Sequence, residues 1–512
     1  MHSLAQITNE TAALFKGAFA GGPLPGNSPL MLHWHGLPET MKKAYTQPGS
    51  ATTGIQGYYL EAPAKNLVPV ITPLRNEIPR VTGGFGIQAN WRGVTGLNIN
   101  QKTFGVSEGN RSPVVVTQTK DYYAAFKSYG SDDTVTSEAY RAAATFEDLL
   151  ATASMRLLWA QMIEEEQMIL GGNNSIALGT VGTVTATPGS AGTLAQLSTY
   201  SVICVALTYE GYLKASVANG LSTATTRTLA DGTSEPDYPG TSIQSAATGS
   251  VNVTASGGTG SIAVSVTPIT GAVAYAWFLG ATSGTEKLNQ ITTTANTVLT
   301  AASASGAQAA AGNFASDYSK NPYVFDGLFS LIQASSSGAY VNQFSNGATL
   351  TADGVGGIIE IDTALQSFWD NYRLSPDAMW MSSQEVKNVT KKVLGGSTIG
   401  SQRFVFETKQ GQITGGDLVT SYLNKFSMRG ARDIPINLHP NMPKGMILFT
   451  TKQLPYPMTN VPVPLQMTMR HDYLAVLWPP RKRQFELGVY ADGVLQAYFP
   501  PSLGLISNIT SG

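Results

Sequence analysis

The residues whose types and spacing come closest to a chemical site are two histidines near the start of the sequence. His33 and His35 flank Trp34, and a separation of two residues puts both side chains on one face of a strand, as in a metal pair. A metal site needs a third ligand, and no other histidine of the sequence is an evident candidate for it. We therefore predict two polar groups in an extended arm, with no metal and no cofactor.

Motifs for catalysis are missing from the rest of the sequence. The segment GGFG at 83–86 lacks the Lys-Ser/Thr of a phosphate-binding loop and the last glycine of a dinucleotide fingerprint, so we interpret it as a hinge. No G-x-S-x-G or H-E-x-x-H motif occurs. Cys204 is the single cysteine, and its alternating run YSVICVAL predicts a small buried hydrophobic side chain. We predict that the chain is not an enzyme.

Charged residues are candidates for contacts with a neighbouring copy of the chain. We interpret the three consecutive glutamates as a solvated acidic turn, with acceptors for a neighbour's basic groups as the alternative. The three cations after Pro479-Pro480 predict a solvated turn, with an acidic neighbour or nucleic acid as alternatives. The candidate residues are Arg92, Lys102, Arg111, Glu164, Glu165, Glu166, Arg481, Lys482 and Arg483.

The composition favours a protein that buries much of its surface against copies of itself. The 512 residues contain 32 Lys and Arg against 33 Asp and Glu, a net charge of −1, and only 13% are charged, compared with about 25% in a typical soluble domain. A dedicated nucleic-acid binder would show a basic excess. There is no secretory signal and no apolar run of about 18 residues, so we expect a protein made in a cytoplasm, with no membrane span.

One long helix is the element that must position the rest. Residues 136–172 contain no internal glycine or proline, with Thr136 as the predicted cap and Gly171 and Gly172 as a left-handed end. About 34 residues at roughly 1.5 Å each predict a rod of about 50 Å. Because no second helix of similar length is apparent, we expect the rod to lie across a sheet. Its predicted apolar stripe is Phe146, Leu149, Leu150, Ala153, Leu157 and Ala160.

The segments before this helix have too few periodic apolar residues to form a core of their own. Residues 1–82 contain one short helical pattern, at 9–19, among Gly/Pro-punctuated stretches, and predict an extended arm. Residues 83–116 predict a long two-stranded excursion, with strands near 88–94 and 113–117 and a turn at 108–111. Since an isolated hairpin is marginal in water, this excursion needs a surface that its own domain does not necessarily provide.

The segments after the helix predict a β-rich region and then mixed structure. Short strands about ten residues apart between 180 and 318, with Trp277 as the buried aromatic, resemble those of immunoglobulin and fibronectin type III domains. From 321 onwards, GGIIEIDTALQSFWDNYRLSPDAMWMSS predicts a helix, a turn and a strand. The segment starting VTSYLNKFSM predicts another helix before strands. The predicted helical face is Ile358, Ile361, Leu365 and Trp369.

The order of these parts resembles a known family of shell proteins. The resemblance lies in SYGSDDTVTSEAYRAAATFEDLLATASMRLLWAQMIEEEQMILGGNN, in IIEIDTALQSFWDNYRLSPDAMW and in ARDIPINLHPNMPKGMILFTT. These segments and their arrangement are similar to the tailed-bacteriophage major capsid proteins, the Hong Kong 97 fold. The fold class that this implies is α+β, with an all-β sandwich insertion.

The resemblance also implies a division into parts. These are an arm at 1–82, an extended loop at 83–122, a peripheral domain with the spine helix at 123–179, an immunoglobulin-like insertion exposed on the outer surface at 180–318, an axial domain at 319–470 and returning strands at 471–512. Some members join their subunits by isopeptide bonds, for which Lys102 would be the candidate lysine, although no asparagine partner can be matched.

The function implied by the resemblance is structural. Pentamers and hexamers of the chain would form an icosahedral virion shell, assembled in the host cytoplasm around double-stranded DNA that is enclosed without sequence-specific binding. Portal, scaffold and decoration proteins would be further partners. The alternatives are an encapsulin-like nanocompartment shell, and a surface adhesin or glycan-binding protein that acts through the β-rich insertion.

Overall fold

The computed structural model of the chain describes most of the sequence after residue 64. The described residues are 65, 67–97, 105–144, 147–195, 198–248, 251–252, 260–345, 347–395, 419–427 and 431–512. Several predictions fall outside these residues, namely the histidine pair His33 and His35, the helical pattern at 9–19, Lys102 and Phe146.

The described residues form a mixed helix and sheet structure. The helices are α1 (Pro73–Glu77), α2 (Ser137–Ala143), α3 (Leu149–Gly171), α4 (Tyr209–Lys214), α5 (Leu328–Gln333), α6 (Ile359–Tyr372) and α7 (Ser383–Gly395). The strands before the β-rich region are β1 (Arg80–Thr82), β2 (Gln88–Leu97), β3 (Thr117–Ala125) and β4 (Lys127–Thr136). Among these residues no helix is both long and apolar enough to cross a membrane.

The remaining strands follow in chain order. Those of the β-rich region are β5 (Thr185–Leu194), β6 (Thr199–Leu207), β7 (Thr226–Thr228), β8 (Ser234–Pro236), β9 (Val251–Asn252), β10 (Gly260–Ser265), β11 (Ala274–Gly280), β12 (Lys287–Thr292) and β13 (Asn296–Leu299). The last group is β14 (Tyr340–Gln343), β15 (Ala378–Met381), β16 (Ser421–Asn424), β17 (Arg432–Leu438), β18 (Ile447–Thr450), β19 (Leu465–Trp478), β20 (Gln484–Ala497) and β21 (Gly504–Ser507).

The prediction of a single rod from 136 to 172 is wrong, because this stretch forms two separate helices, α2 and α3. Thr136 caps only the short α2, through the amide of Ala139. The side chain of Asp148 accepts the amides of Leu150 and Ala151 and begins α3, since a short polar side chain offers the backbone an alternative to continuing a helix. The long helix therefore has 23 residues and spans about 35 Å.

The end of α3 also differs from the prediction. Gly172 has φ −56° rather than a left-handed conformation. Its missing side chain matters for another reason, because a Cβ there would lie 2.3 Å from the carbonyl oxygen of Phe325. Along the helix, Ala153 and Leu157 are buried as predicted, whereas Ala160 is exposed. The buried face continues through Gln161 and Glu165 instead, at a spacing of four residues.

The helix α3 lies across a sheet, as expected. This sheet has the strand order β1-β19-β20-β4, and α3 contacts both β20 and β4. The long hairpin of β19 and β20 therefore joins the carboxyl-terminal part of the chain to the strand that precedes the helix. Two of the predicted part boundaries cut through strands, since 122/123 falls within β3 and 470/471 falls within β19.

A second, six-stranded sheet has the order β14-β21-β18-β15-β17-β16. The predicted helix, turn and strand are confirmed as α6 and β15, although Phe368 is the buried side chain and Trp369 is only partly buried. The helix predicted near 419–427 is wrong, because β16 pairs antiparallel with β17 there. Its burial alternates, with Tyr422 and Asn424 facing inwards, and this is the pattern of a strand at the edge of a sheet.

The β-rich region contains two larger sheets, β13-β10-β5 and β12-β11-β6-β9, that share one apolar core, and a separate two-stranded sheet of β7 and β8. Trp277 is fully buried there, as predicted, and its Nε1 donates to Thr292 Oγ1 at 2.8 Å. The run YSVICVAL does not alternate, because a second apolar cluster containing Phe278 and Phe314 covers the other face of β6 and β11. Cys204 is fully buried, and burial raises the pKa of its thiol.

The β-rich region is packed against the rest of the chain. The Ala295 amide donates to Asn508 Oδ1 at 2.6 Å, and the Gly271 amide donates to Gln333 Oε1 at 2.7 Å. The ring of Tyr209 meets that of Phe329 edge to face at 5.9 Å. These contacts restrict independent motion of the region.

Replacing Trp277 by alanine should lower the free energy of unfolding by about 3–5 kcal/mol, since it leaves a large cavity in the shared core of the two sheets. The matched control is Val298→Ala on β13, whose side chain is 50% exposed and whose loss should change stability by about 0.5 kcal/mol or less. Denaturant unfolding of the purified chain measures both. Equal stability of the two variants would contradict this assignment of the core.

Candidate functional site

The excursion between the arm and α3 is a two-stranded ribbon, formed by β2 and β3 and their connection. The strands pair antiparallel from Gln88 with Ala125 to Leu97 with Thr117, and in the described part of the chain neither joins a larger sheet. The second strand of the ribbon was predicted at 113–117, whereas the observed strand, β3, begins at 117. The predicted turn is confirmed, with Gly109 at φ +79° and the Asn110 amide donating to the Ser107 carbonyl at 3.1 Å.

The ribbon exposes many large apolar side chains. They are Val94, Leu97, Val106, Val114, Val115, Val116 and Tyr123, and Phe85 and Ile87 are also exposed just before β2. Phe85 and Val114 are both 88% exposed or more. Exposed apolar side chains in such number are typical of an interaction site, because each Å² left in water forgoes about 25 cal/mol. A two-stranded sheet is also marginal by itself, and no described part of the chain covers these side chains.

The proximal part of the ribbon rests on the body of the chain. The Trp91 ring stacks on Tyr122 with centroids 5.7 Å apart and meets the Tyr498 ring edge to face at 5.8 Å. The Lys120 ammonium donates to the Ser336 carbonyl. The apolar side chains of 105–116 lie beyond these contacts and stay exposed.

Two of the predicted contact residues of the ribbon can be placed. Arg92 lies opposite Asp121 in the strand register and donates to it from Nε at 2.5 Å and from Nη2 at 2.9 Å. This hydrogen-bonded partner lowers the pKa of Asp121. Arg111 is exposed. The structure thus gives Arg92 a partner on the adjacent strand, which also supports the pairing of the ribbon.

The predicted cationic turn forms the connection of β19 and β20. Arg483 Nη2 lies 2.8 Å from Glu138 Oε1, and Arg481 Nε lies 3.5 Å from Glu486 Oε2. Lys482 is exposed. An exposed ion pair such as that of Arg483 with Glu138 contributes little to stability. In the other pair the Glu486 side chain is only 11% exposed.

The prediction of a solvated acidic turn at the three glutamates is wrong. Glu165 and Glu166 are fully buried, and Glu164 is partly buried. The Glu166 carboxylate accepts the Leu74 amide at 2.9 Å and the Arg75 amide at 2.7 Å. These amides belong to the first turn of α1 and have no partner within that helix. The carboxylate therefore caps a helix about 90 residues earlier in the sequence.

A histidine completes the surroundings of Glu166. His439 Nε2 lies 2.6 Å from Glu166 Oε1, and His439 Nδ1 accepts the Asn441 amide at 3.1 Å. Because Nδ1 acts as an acceptor, the ring proton lies on Nε2, which donates to the carboxylate. Glu166 thus links α3, α1 and the segment after β17.

Glu165 joins the same helix to two arginines and a tyrosine. Arg75 Nε donates to it at 2.9 Å, and Arg80 and the Tyr473 hydroxyl also donate. Both guanidinium groups also lie over the Tyr473 ring, with their central carbons 5.1 Å and 5.2 Å from its centroid. Burial and the neighbouring Glu165 raise the pKa of Tyr473, so the hydroxyl keeps the proton that it donates. We call Glu165 and Glu166 the carboxylate pair.

The partners of the carboxylate pair were missed by sequence reasoning. A signal was present, because Gln161 and Glu165 continue the four-residue spacing of Ala153 and Leu157 and so lie on the buried face of α3. A carboxylate on such a face needs a basic or hydrogen-bonding partner. The sequence does not reveal that this partner comes from 73–80 and from Tyr473.

No protein-family model and no curated protein sequence matches the chain. Among solved structures, the chain is similar to the capsid of a native GTA particle, with 9% identity, 89% of this chain and 96% of that chain covered, and a TM-score of 0.38. It is similar to the capsid of the cyanophage P-SCSP1u, with 10% identity, 93% and 99% covered, and a TM-score of 0.39.

A third similar structure is the capsid of the Myoviridae phage XM1, with 8% identity, 88% of this chain and 96% of that chain covered, and a TM-score of 0.38. All three TM-scores are low. The function proposed below therefore rests on the contacts and exposed surfaces of the chain itself.

Glu165→Gln should lower the free energy of unfolding by about 3 kcal/mol, because it leaves the mostly buried Arg75 guanidinium without its paired carboxylate. Arg80 keeps its ion pair with Asp472. The matched control is Glu164→Gln on the same turn, whose partly buried carboxylate lies near the neutral side chains of Ser131, with Oγ at 3.5 Å, and Gln161. Thermal unfolding of the purified chain compares the two. An equal midpoint for both variants would contradict the role given to Glu165.

Glu164 provides a test in which the effect depends on pH. Burial raises its pKa in the folded chain. The charged form is therefore disfavoured by folding, and this cost is absent below the ordinary carboxyl pKa and grows as the pH rises through the raised value. Glu164→Gln should raise the unfolding midpoint at pH 7 and have no such effect near pH 4, as measured by thermal unfolding at both values. A gain that is independent of pH would refute this.

Proposed function

We propose that this chain is a major capsid protein of a tailed bacteriophage, whose copies assemble into a closed icosahedral shell around double-stranded DNA. The observation that supports this most strongly is the ribbon. It extends from a well-packed body and exposes apolar side chains that no described part of the same chain covers. A protein that keeps such a surface has a use for it between molecules.

A second copy of the chain is the partner that best fits the ribbon. Identical subunits present the same ribbon and the same receiving surface, so each copy both gives and receives the contact, as in the head-to-tail interfaces of closed rings. Each contact can be weak, because many are made in one particle and the effective concentration is high once assembly has started.

The body has the properties that such a shell requires of its subunit. The carboxylate pair fastens α1 to α3 and β19, so the base of the ribbon is attached to a fixed frame. The net charge is −1 and few residues are charged, which allows close packing of copies without strong repulsion. In this proposal DNA is enclosed without sequence-specific contacts, and no catalytic step or cofactor is needed.

The proposed correspondence with the capsid fold assigns each element a place. The ribbon would be the extended loop, α3 the spine helix, the sheet under α3 the peripheral domain, the six-stranded sheet the axial domain, and the β-rich region an outward insertion. The axial domains would gather around the five-fold and six-fold axes of pentamers and hexamers. Portal, scaffold and decoration proteins belong to the same proposal.

Deleting residues 86–110 should leave a subunit that folds but does not form stable closed particles, because the paired strands are lost together with the exposed side chains of Ile87, Val94, Leu97 and Val106. A less drastic variant combines Val94→Asp and Val114→Asp, which puts charge on the ribbon without shortening it. Negative-stain microscopy and sedimentation of the expressed chain measure assembly. Normal particles from either variant would refute the role of the ribbon.

The matched control for these variants is Met458→Asp. Met458 is 99% exposed and lies outside the ribbon, so it tests whether any added surface charge impairs assembly. We expect normal particles from this control. DNA inside purified particles would distinguish a virion shell from a nanocompartment that holds enzymes.

A further inference from the structure

The neck of the ribbon consists of the segment where the chain enters it, 83–87, and of Phe126, where the chain leaves it. The Phe126 amide donates to the Ile87 carbonyl at 3.1 Å, which closes the neck. The Gly84 amide donates to the Met469 carbonyl at 3.0 Å, which joins the neck to β19. The backbone thus attaches the neck to the body through a small number of bonds.

The chain turns sharply at this point. Gly83 and Gly86 have φ values of +101° and +75°, a region that side chains with a Cβ disfavour. A Cβ on Gly84 would lie 2.8 Å from the Phe126 ring. The neck is therefore narrow and glycine-rich, and glycine gives the backbone several ways to continue from it.

One side chain spans the neck and the body. From β19, Arg470 Nη1 donates to the Gly86 carbonyl at 2.7 Å, while its Nη2 is paired with the Asp492 carboxylate on β20. Its guanidinium carbon lies 5.2 Å from the centroid of the Phe126 ring. The Arg470 and Asp492 side chains are 29% and 15% exposed, so the contact is partly shielded from water. The planar guanidinium holds both segments of the neck at once.

Small rotations of the neck have large effects at the far end of the ribbon. A strand of ten residues is about 33 Å long. Over that length, a rotation of about 10° at the neck moves the far end by roughly 6 Å. Apolar packing tolerates gaps of only about 0.5–1 Å. A ribbon that docks on a second copy must therefore leave the body in a defined direction.

We propose that Arg470 is a positioning residue that fixes the direction of the ribbon and thereby permits assembly. This inference rests on the proposed function, since it assumes that the ribbon docks on another copy. Arg470 need not touch that copy, because it acts through the Gly86 carbonyl, the Phe126 ring and the Asp492 carboxylate.

The experiment compares Arg470→Ala, Arg470→Lys and Asp492→Asn with the wild type in two measurements. The first is hydrogen exchange of the Gly84 and Phe126 amides in the unassembled subunit, and the second is the yield of closed particles. The control is Arg432→Ala, which also removes an arginine–aspartate pair, with Asp377 at 2.5 Å, but lies in the six-stranded sheet. Exchange in β15 and β18 shows whether each variant folds.

We expect exchange at the neck to accelerate by about tenfold or more in all three variants, the factor for one lost charge-assisted hydrogen bond. Particle yield should fall in all three and stay normal in the control. Lysine should not restore protection, because one ammonium does not span both anchors. Wild-type protection or wild-type yield in Arg470→Ala, or full rescue by lysine, would overturn the inference. If the wild type forms no particles, the proposed function fails, whereas exchange at the neck still decides whether Arg470 fixes the ribbon.

Discussion

The described structure depends on two carboxylates that are buried at the end of its longest helix. A buried carboxylate is costly unless it is paired and hydrogen-bonded, and Glu165 and Glu166 satisfy this with donors from three distant parts of the sequence. The pair thereby fixes where the segment before the ribbon, the hairpin of β19 and β20 and the segment after β17 meet. Apolar packing alone would not specify this register so strongly, because it is not directional.

The ribbon differs from this buried site, because much of its side-chain surface has no partner within the described chain. It is attached to this fixed frame at its neck and at its proximal rings, yet its distal apolar side chains have no cover within the described chain. In the proposed shell, the fixed base would set the direction of the ribbon, and the free energy of burying its apolar side chains would become available only when copies meet.

Local signals in the sequence predicted much of the fold. The first strand and the turn of the ribbon, the helix and strand at 359–381 and the burial of Trp277 all follow from periodicity and turn residues. The second strand of the ribbon begins only at the end of its predicted range. Three predictions failed for reasons that lie outside those signals. Asp148 starts a second helix where the sequence suggested one rod, and β16 takes its conformation from pairing with β17. The glutamates were assigned to solvent because their partners lie about 90 or about 300 residues away in the sequence.

The central claim is that assembly covers the ribbon, and hydrogen exchange of β2 and β3 compared between isolated subunits and purified particles tests it most directly. The account predicts that the chain forms closed particles and that amides at 88–97 and 117–125 exchange at least about tenfold more slowly in them than in the subunit. A chain that remains a monomer at high concentration, or particles in which these amides exchange as fast as in the subunit, would contradict it.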